Sequence, residues 1–577
     1  MDNTPEPRVE FYKRRYEALK GGTERANWES HCEEIATVIQ PRKMGFVGLR
    51  TPGEKKMSQV YDPTGIHACE LLAAGLHGMA TNPSSRWFSL RLADDELNEQ
   101  EAVRGYLSDV EKLIWARLYA PGANFTTTLH ETYMDLGAFG TACIYIGTRK
   151  DSGGLLFQSR PMASIVIDEN SEGRVDTVYR YHEYTVRQMV EMWPGKVSKA
   201  VQEKHDAQRY DERVAVIHVV APNRERLYGS KAPKDMAYHS CYFEQQESHK
   251  LEEGGYPEFP YLVPRWAKLN GEMYGRSPGM TALPDVKMLQ AASLTTIKTL
   301  QKNADPPLFL PDDGFVGPVR TVPGGLNFYR GQREIVPMPT SIQGLQVALE
   351  WMESIRNRIR TVFFADILQI VTETEMTATE VMQRTTERMR ILGPIIGRLE
   401  AELLGPLIER VFGILNRQGL LPLPPEEIQG SDMNVEYVSP IASAQKQTQA
   451  QGLVQVFQHL GVLGPEIAAQ VAMQRMSPTR TFDWLWDLFN NDPDLLKTDD
   501  EMAADARQQQ IAQGMAVAQP AVEMVNQGSQ ALKNVADAHA NGGIDLNEIS
   551  ALMGANMPKN GIPAANRLRN QLNGAGQ

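Results

Sequence analysis

PDVKMLQAASLTTIKTLQKN, residues 284–303, reads as one long helix, and the segment after it decides the fold. Ser277 and Pro278 just upstream make an N-cap and first-turn pair. Downstream, PPLFLPDDGFVGPVRTVPGGLNFYRGQREIVPMP (306–339) has no helical period and is dense in Pro and Gly, which predicts a small β or loop module. The helical period returns over 341–363, where Leu345, Ala348, Leu349, Met352, Ile355, Ile359 and Val362 form one apolar stripe. Its opposite face carries Glu353, Arg356 and Arg360. Helix, compact module, returning helix is therefore the central pattern of the chain.

Working outward, the apolar interlude FFADILQIVTETEM (363–376) leads to Thr377 and Glu380, a capping box that opens a long helix running to about residue 418. Its stripe runs through Val381, Met389, Leu392, Ile396, Leu399, Leu403, Leu407, Val411 and Leu415. Inside it, GPIIGRLEAELLGP (393–406) places Pro394 and Pro406 where each removes a backbone donor, at about 3 kcal/mol apiece. Because the stripe continues through both, the expectation is a kinked helix rather than three short ones. Shorter helices close the chain, before an Ala/Gln/Asn/Gly-rich tail from about residue 500.

Upstream, 5–40 and 64–81 read as helices, WFSLRL (87–92) as a strand and 96–120 as an amphipathic helix. From about 140 to 270 the period changes to two: TACIYIGT, LLFQSR, ASIVID, VDTVYRYHEYT, VAVIHVVAP, YHSCYFEQ and YLVPRW are strand-like, with a hairpin turn at 168–173. The fold class is α+β.

The totals narrow the function. At 577 residues the chain calls for two to four packed units. The N-terminus has no apolar signal segment and no run is long enough to span a membrane, so a cytosolic protein is expected. Cys32, Cys69, Cys143 and Cys241 stand far apart, which favours buried thiols over a disulfide framework or a zinc site. A net charge of −12 argues against tight grip on nucleic acid, though not against letting DNA pass.

Enzyme signatures are missing. PGKVS (194–198) lacks the upstream glycine of a phosphate-binding loop, and there is no G-x-G-x-x-G after a strand, no H-E-x-x-H and no G-x-S-x-G. His67, Cys69 and His77 do not share one helix face, and His239 with Cys241 has no second ligand pair, so packing roles are expected for all five. The pairs Asp94-Asp95 and Asp312-Asp313 read as turn residues. Arg356, Arg358 and Arg360 are able to meet phosphate, but a solvated face with i,i+4 partners is the plainer reading. No catalytic residue, metal or cofactor is expected.

Several blocks resemble the portal (head-to-tail connector) proteins of tailed bacteriophages, particularly short-tailed ones. GEMYGRSPGMTALPDVKMLQ (271–290) is similar to the family's lead-in to a first stem helix. MTATEVMQR (376–384) with LGPIIGRLEAELLGPLIERVFGILNRQGLLP (392–422) resembles its long helix and exit loop. AAGLHGMATNPSSRWFSLRL (73–92) and DLGAFGTACIYI (135–146) resemble its N-terminal half, and the likeness covers about residues 8–440.

The resemblance implies a structural ring of twelve subunits at one capsid vertex, through which double-stranded DNA is packaged and ejected. The implied parts are a mixed wing (1–276), stem helices (277–303 and 341–363) around a clip (304–340), a tunnel loop (364–376), and the kinked helix with its return to the wing (377–440). A helical crown (441–500) and a C-terminal barrel or tail (501–577) complete the set. Arg356, Arg358, Arg360, Asp366, Gln369, Thr372 and Glu373 become candidates for the channel. Asp312, Asp313, Phe315, Arg320, Phe328, Tyr329 and Arg330 become candidates for partner docking on the clip. The implied partners are further copies of the chain, the large terminase, a head-to-tail adaptor, and the major capsid and scaffolding proteins, with assembly in the host bacterial cytoplasm and residence in the virion. Twelve copies at −12 each carry −144, which suits a conduit, since every phosphate contact slows a sliding duplex. Two competitors are another virion assembly protein, from tail or internal head, and a metal-dependent DNA-processing enzyme.

Overall fold

The computed structural model describes residues 7–437 apart from 44, 48–52, 56, 85, 99, 150, 228, 231, 312–319, 330–335, 338–344, 369–390 and 429–432, together with 452, 456, 477, 481–482 and 486. The chain divides into two units, 1–493 and 494–577, and the described residues all belong to the first. The proposed barrel, and most of the proposed crown, therefore lie outside the described residues.

The β region is a five-stranded antiparallel meander of Ile165–Glu169, Val175–Thr185, Arg213–Pro222, Tyr238–Glu244 and Lys250–Tyr256, in that order. Alternation sorts its side chains to two faces. On one face Val166, Tyr179, Ile217, Val219, Cys241 and Phe243 pack under Val9, Tyr12 and Tyr16 of the N-terminal helix Pro7–Lys20. On the other, Val178 and Val220 join the main core, and a smaller sheet of Leu155–Ser159, Ile144–Thr148 and Tyr261–Leu262 accompanies them. Strand Lys250–Tyr256 is an addition to the strands expected from sequence, because KLEEGGY has almost no apolar alternation; it is an edge strand, and only Leu251 is buried.

The main core is helical. Thr23–Val38, Thr64–Ala80, Glu101–Leu118 and Phe125–Phe139 contribute their apolar faces, joined by Pro278–Ala304, Leu345–Val362 and Gly405–Arg417. Helix Phe125–Phe139 has little local support: its FTTTL start is β-branched and aromatic, and tertiary burial of Leu129, Tyr133 and Leu136 overrides that preference. Strand Phe88–Leu92 pairs antiparallel with Met433–Tyr437, which closes the body by bringing sequence-distant segments together. All four cysteines are buried and unbridged.

Glycine explains two of the quoted blocks. Gly140, at φ 76°, ends helix Phe125–Phe139 in the left-handed region, and a Cβ there would stand 2.4 Å from the Gly275 carbonyl oxygen. A Cβ on Gly275 would in turn meet Gly140 O at 2.2 Å. The two backbones touch, and Ser277 Oγ donates to Ala138 O at 2.6 Å while accepting from Met280 N at 2.9 Å. The same hydroxyl thus caps helix Pro278–Ala304 and anchors it to the body.

The backbone is helical through both prolines: 391–399 is α-helical, Glu400–Leu404 is a π-turn, and Gly405–Arg417 is α-helical again. In the π-turn Gly405 N–H donates to Glu400 O, so the irregularity sits immediately before Pro406 instead of at its ring. Arg390, whose carbonyl faces Pro394, lies outside the described residues.

The π-turn is clasped by Arg265, whose side chain is 1% exposed. Its backbone N–H and Nε donate to Glu402 Oε2 at 2.9 and 3.2 Å, and Nη2 donates to Oε1 at 2.8 Å. Nη1 donates to Glu169 Oε2 at 2.8 Å, and Nη2 also reaches Gly173 O at 2.8 Å. One guanidinium therefore fastens the meander's first hairpin to the long helix. Replacing Arg265 with Ala leaves Glu402 with only Arg398 at 3.5 Å and Glu169 with only Lys268 at 2.7 Å, and should destabilise the fold by about 3 kcal/mol in denaturant unfolding. Lys should rescue little, because it cannot reproduce the fork.

His218 is buried on the inner face of the meander, with Nδ1 3.0 Å from Tyr261 Oη and Nε2 3.0 Å from Ser240 Oγ. Burial first, then the charges of Arg180 and Arg160, lower its pKa from 6.5 to about 3. The unfolded chain therefore binds a proton below pH 6.5 that the folded chain refuses, and stability falls as pH drops from there toward 3. The loss is at most about 1.4 kcal/mol per pH unit. The decline in melting temperature between pH 7 and pH 5 should be shallower in His218→Gln than in the wild type.

Candidate assembly and channel surfaces

Helices Pro278–Ala304 and Leu345–Val362 pack side by side, with Leu289, Met352, Ile355 and Ile359 buried among the core residues. Ser293 and Thr296 hydroxyls each lie 3.9 Å from the Met352 sulfur. The hairpin is tied to the body at Asp62. Gln290 Oε1 accepts from the backbone N–H of Tyr61 and Asp62 at 2.7 and 2.9 Å, and its Nε2 donates to Asp62 O at 2.6 Å. From the second helix, Arg356 Nε and Nη2 donate to Asp62 Oδ2 at 3.0 and 2.9 Å. Burial alone would raise the Asp62 carboxyl, but hydrogen bonds from Thr64 and Arg356 carry it below the usual carboxylate range.

Arg356 is thus held by Asp62 and, at 3.0 Å, by Glu353. Arg358 pairs with Asp285 across the hairpin at 2.8 Å, and Arg360 with Glu353 at 3.0 Å. All three guanidinium groups are paired with carboxylates of their own chain, at spacings other than the i,i+4 expected from the sequence. Arg358 and Arg360 keep the larger exposure; Arg356 is the hairpin's clasp.

Beyond the second helix, Phe363 and Ala365 are fully buried and Phe364 turns the chain at φ 56°. A short turn, Ala365–Leu368, comes next, and Asp366 Oδ2 accepts from Thr361 Oγ1 at 2.9 Å. Leu368 packs so closely on helix Thr64–Ala80 that a Cβ on Gly75 would lie 2.8 Å from its methyl carbons. Ala365 and Leu368, in the segment expected to face DNA, are therefore packed against the body, while Asp366 between them is exposed. Gln369, Thr372 and Glu373 lie outside the described residues.

The module between the helices is a three-stranded sheet, with Leu308–Pro311 central, Leu326–Tyr329 parallel on one side and Val336–Pro337 antiparallel on the other. Register places Leu308 opposite Leu326 and Leu310 opposite Phe328, so these four share one face. Leu326, Phe328 and nearby Val322 are exposed. The buried Asn327 holds the turn before it, accepting from Arg320 N at 2.5 Å and donating to Arg320 O at 2.9 Å. The Tyr329 and Phe309 rings stand 6.3 Å apart. Asp312, Asp313, Phe315 and Arg330 lie outside the described residues.

More apolar surface lies exposed along the hairpin. Val347 is 68% exposed and Leu349 and Trp351 47% each on the second helix; Met288, Ile297 and Leu300 are exposed on the first. The sequence stripe places Leu349 in the core, but the α-helical turn carries it past the hairpin seam. Of the histidines weighed as metal ligands, His239 and His77 are engaged elsewhere and His67 is exposed. His239 lies between Tyr12 Oη at 3.1 Å and Glu253 Oε1 at 2.8 Å, and His77 bonds Thr81 Oγ1 at 2.9 Å. Among the described residues no group of three or more His, Cys, Asp and Glu is placed to hold a metal, and no helix is long and apolar enough to cross a membrane.

Comparison with known proteins gives this geometry a setting. The family described as bacteriophage head to tail connecting protein matches residues 10–496. The "Probable portal protein" of Bordetella phage BPP-1 is 34% identical over 543 residues, covering 92% of this chain and 95% of that protein. The "Portal protein" of Salmonella phage epsilon15 is 30% identical over 522 residues, covering 87% of this chain and 92% of its own length. A chain from the virion of a native gene transfer agent particle aligns over 74% of this chain and 89% of its own at 12% identity, with a TM-score of 0.36. With a family match across most of its length and curated relatives aligned nearly end to end, the chain belongs to the bacteriophage head-to-tail connecting protein family.

Proposed function

We propose that the chain is the portal subunit of the head-to-tail connector, a structural ring through which double-stranded DNA enters and leaves the head. The observation that carries this reading is the helical hairpin 278–362, held to an α+β body at Asp62 and bearing a small sheet at its tip. It supports stem helices at 277–303 and 341–363, a clip at 304–340 and a wing over 1–276. The role is structural, in the virion, after assembly in the host cytoplasm. Partners on this reading are twelve copies of the chain, the terminase and then the adaptor at the clip, and the capsid and scaffolding proteins around the wing.

The hairpin's exposed apolar residues lie on both of its helices, as a head-to-tail ring requires of a surface that meets a different surface on the next copy. Electron microscopy with native mass measurement should show rings of about twelve subunits with a central hole. Trp351→Glu with Val347→Glu should leave folded single subunits. A wild-type chain that stays monomeric or dimeric at micromolar concentration would sink the portal reading.

Arg358, Arg360, Asp366, Gln369, Thr372 and Glu373 are the proposed channel contacts, on and beside a tunnel loop at 364–376 that is anchored by the buried Ala365 and by Leu368. Deleting 369–376 should leave rings intact and impair packaging or DNA retention. If the deletion abolished rings instead, the segment would be a structural joint.

A further inference from the structure

The arginines of the hairpin and of the π-turn clasp spend their charge on carboxylates of the same chain. Arg160 and Arg180 do not. Arg160 comes just after strand Leu155–Ser159, with its backbone N–H donating to Cys143 O at 2.8 Å. Its guanidinium lies 5.4 Å over the Tyr145 ring and its Nη2 donates to Gln158 Oε1, while Nε is buried with no partner. Arg180 sits in strand Val175–Thr185, opposite Ile165 on one side and His218 on the other.

The two side chains border the same aromatic stack. His218 lies on Tyr242 at 3.9 Å and 6°, its Nδ1 reaches Tyr261, and the Tyr261 ring is 5.2 Å from Tyr145 beneath Arg160. Every neighbour named here is a phenol, an amide, a hydroxyl or an imidazole held neutral. Burial, followed by the Arg180 charge, pushes Arg160 below the usual arginine range, which is the signature of a cation without its counter-charge. Among the described residues neither guanidinium has a carboxylate within 4.0 Å. Both are half-buried and His182 beside them is exposed, so the pair opens to the surface.

We propose that Arg160 and Arg180 form an oxyanion site, filled in the assembled connector by a carboxylate of a neighbouring copy of this chain. Arginine forks hold planar oxyanions through paired hydrogen bonds, and two half-buried guanidinium groups without a carboxylate partner leave donors for such a group. A second copy is the source that fits. Each chain carries 71 acidic against 59 basic residues, so carboxylates outnumber cations on the copy that a neighbour presents. In a head-to-tail ring, a basic spot on one subunit against an acidic spot on the next offsets the repulsion between like-charged copies. The choice of a second copy rests on the ring reading; the oxyanion chemistry does not.

The test uses the full chain, with inorganic phosphate as the probe. On dilute single subunits, phosphate should raise the melting temperature saturably, and chloride at equal ionic strength should not. Arg160→Gln and Arg180→Gln should each abolish that rise while keeping the unliganded melting temperature within a few degrees. Assembled wild-type rings should show no phosphate response, and rings of either variant should fall apart at lower salt than the wild type. No phosphate effect on wild-type subunits would overturn the oxyanion site. Phosphate stabilising rings as strongly as subunits would overturn the second-copy assignment in favour of a free anion. Failure of wild-type subunits to form rings would also overturn that assignment, through the ring reading, and leave the phosphate measurement to judge the site.

Discussion

The fold depends on one buried cation. Arg265 is the point where the meander, the lead-in to the first hairpin helix and the long C-terminal helix meet, and it answers Glu169, Glu402 and the Gly173 carbonyl at once. A buried guanidinium is expensive unless nearly every donor is matched, and that demand makes the joint specific: a small shift of any of the three elements leaves a charge or a donor stranded. Hydrophobic packing alone would tolerate sliding of helix on sheet. The arginine fork does not. Lys268, at 2.7 Å from Glu169, completes the neutralisation at the edge of the site.

The same economy of charge runs through the hairpin. Arg356 ties the second helix to Asp62, and Gln290 ties the first helix to the same short stretch of backbone. A hairpin clasped at its base by polar contacts, and apolar along much of its exposed length, is well suited to transmit position from body to tip while leaving its flanks for other surfaces. The charge of the hairpin's arginines is largely satisfied by carboxylates of the same chain.

Much of this was legible in the sequence because it rests on local signals. Ser277-Pro278 marks a capped start, the stripe from Leu345 to Val362 marks a buried face, and the Pro- and Gly-rich span between them marks a module without helix. What escaped depends on distant partners. Met433–Tyr437 is a strand because Phe88–Leu92 lies beside it, and helix Phe125–Phe139 survives a poor local preference through burial. The Arg160 and Arg180 pair, 20 positions apart, carries no motif; only the folding of two sheets around His218 brings the residues together. Arg356 could be placed on the right helix face, but its partner Asp62 is 294 positions away.

The π-turn at Glu400–Leu404 has a further consequence for how this chain tolerates change in length. A π-turn is what a helix looks like when it has absorbed one residue beyond an α-helical count. Removing a single residue within 400–404 would therefore let the wide turn close to a regular α-helix with the flanking segments still in phase. Leu407, Val411 and Ile414 would stay on the residues they now cover, and the change would fall on Glu402 and its alignment on Arg265. The extra residue is thus an insertion whose effect is confined to the clasp, and a single deletion here should be absorbed more readily than one elsewhere along the buried face of the same helix.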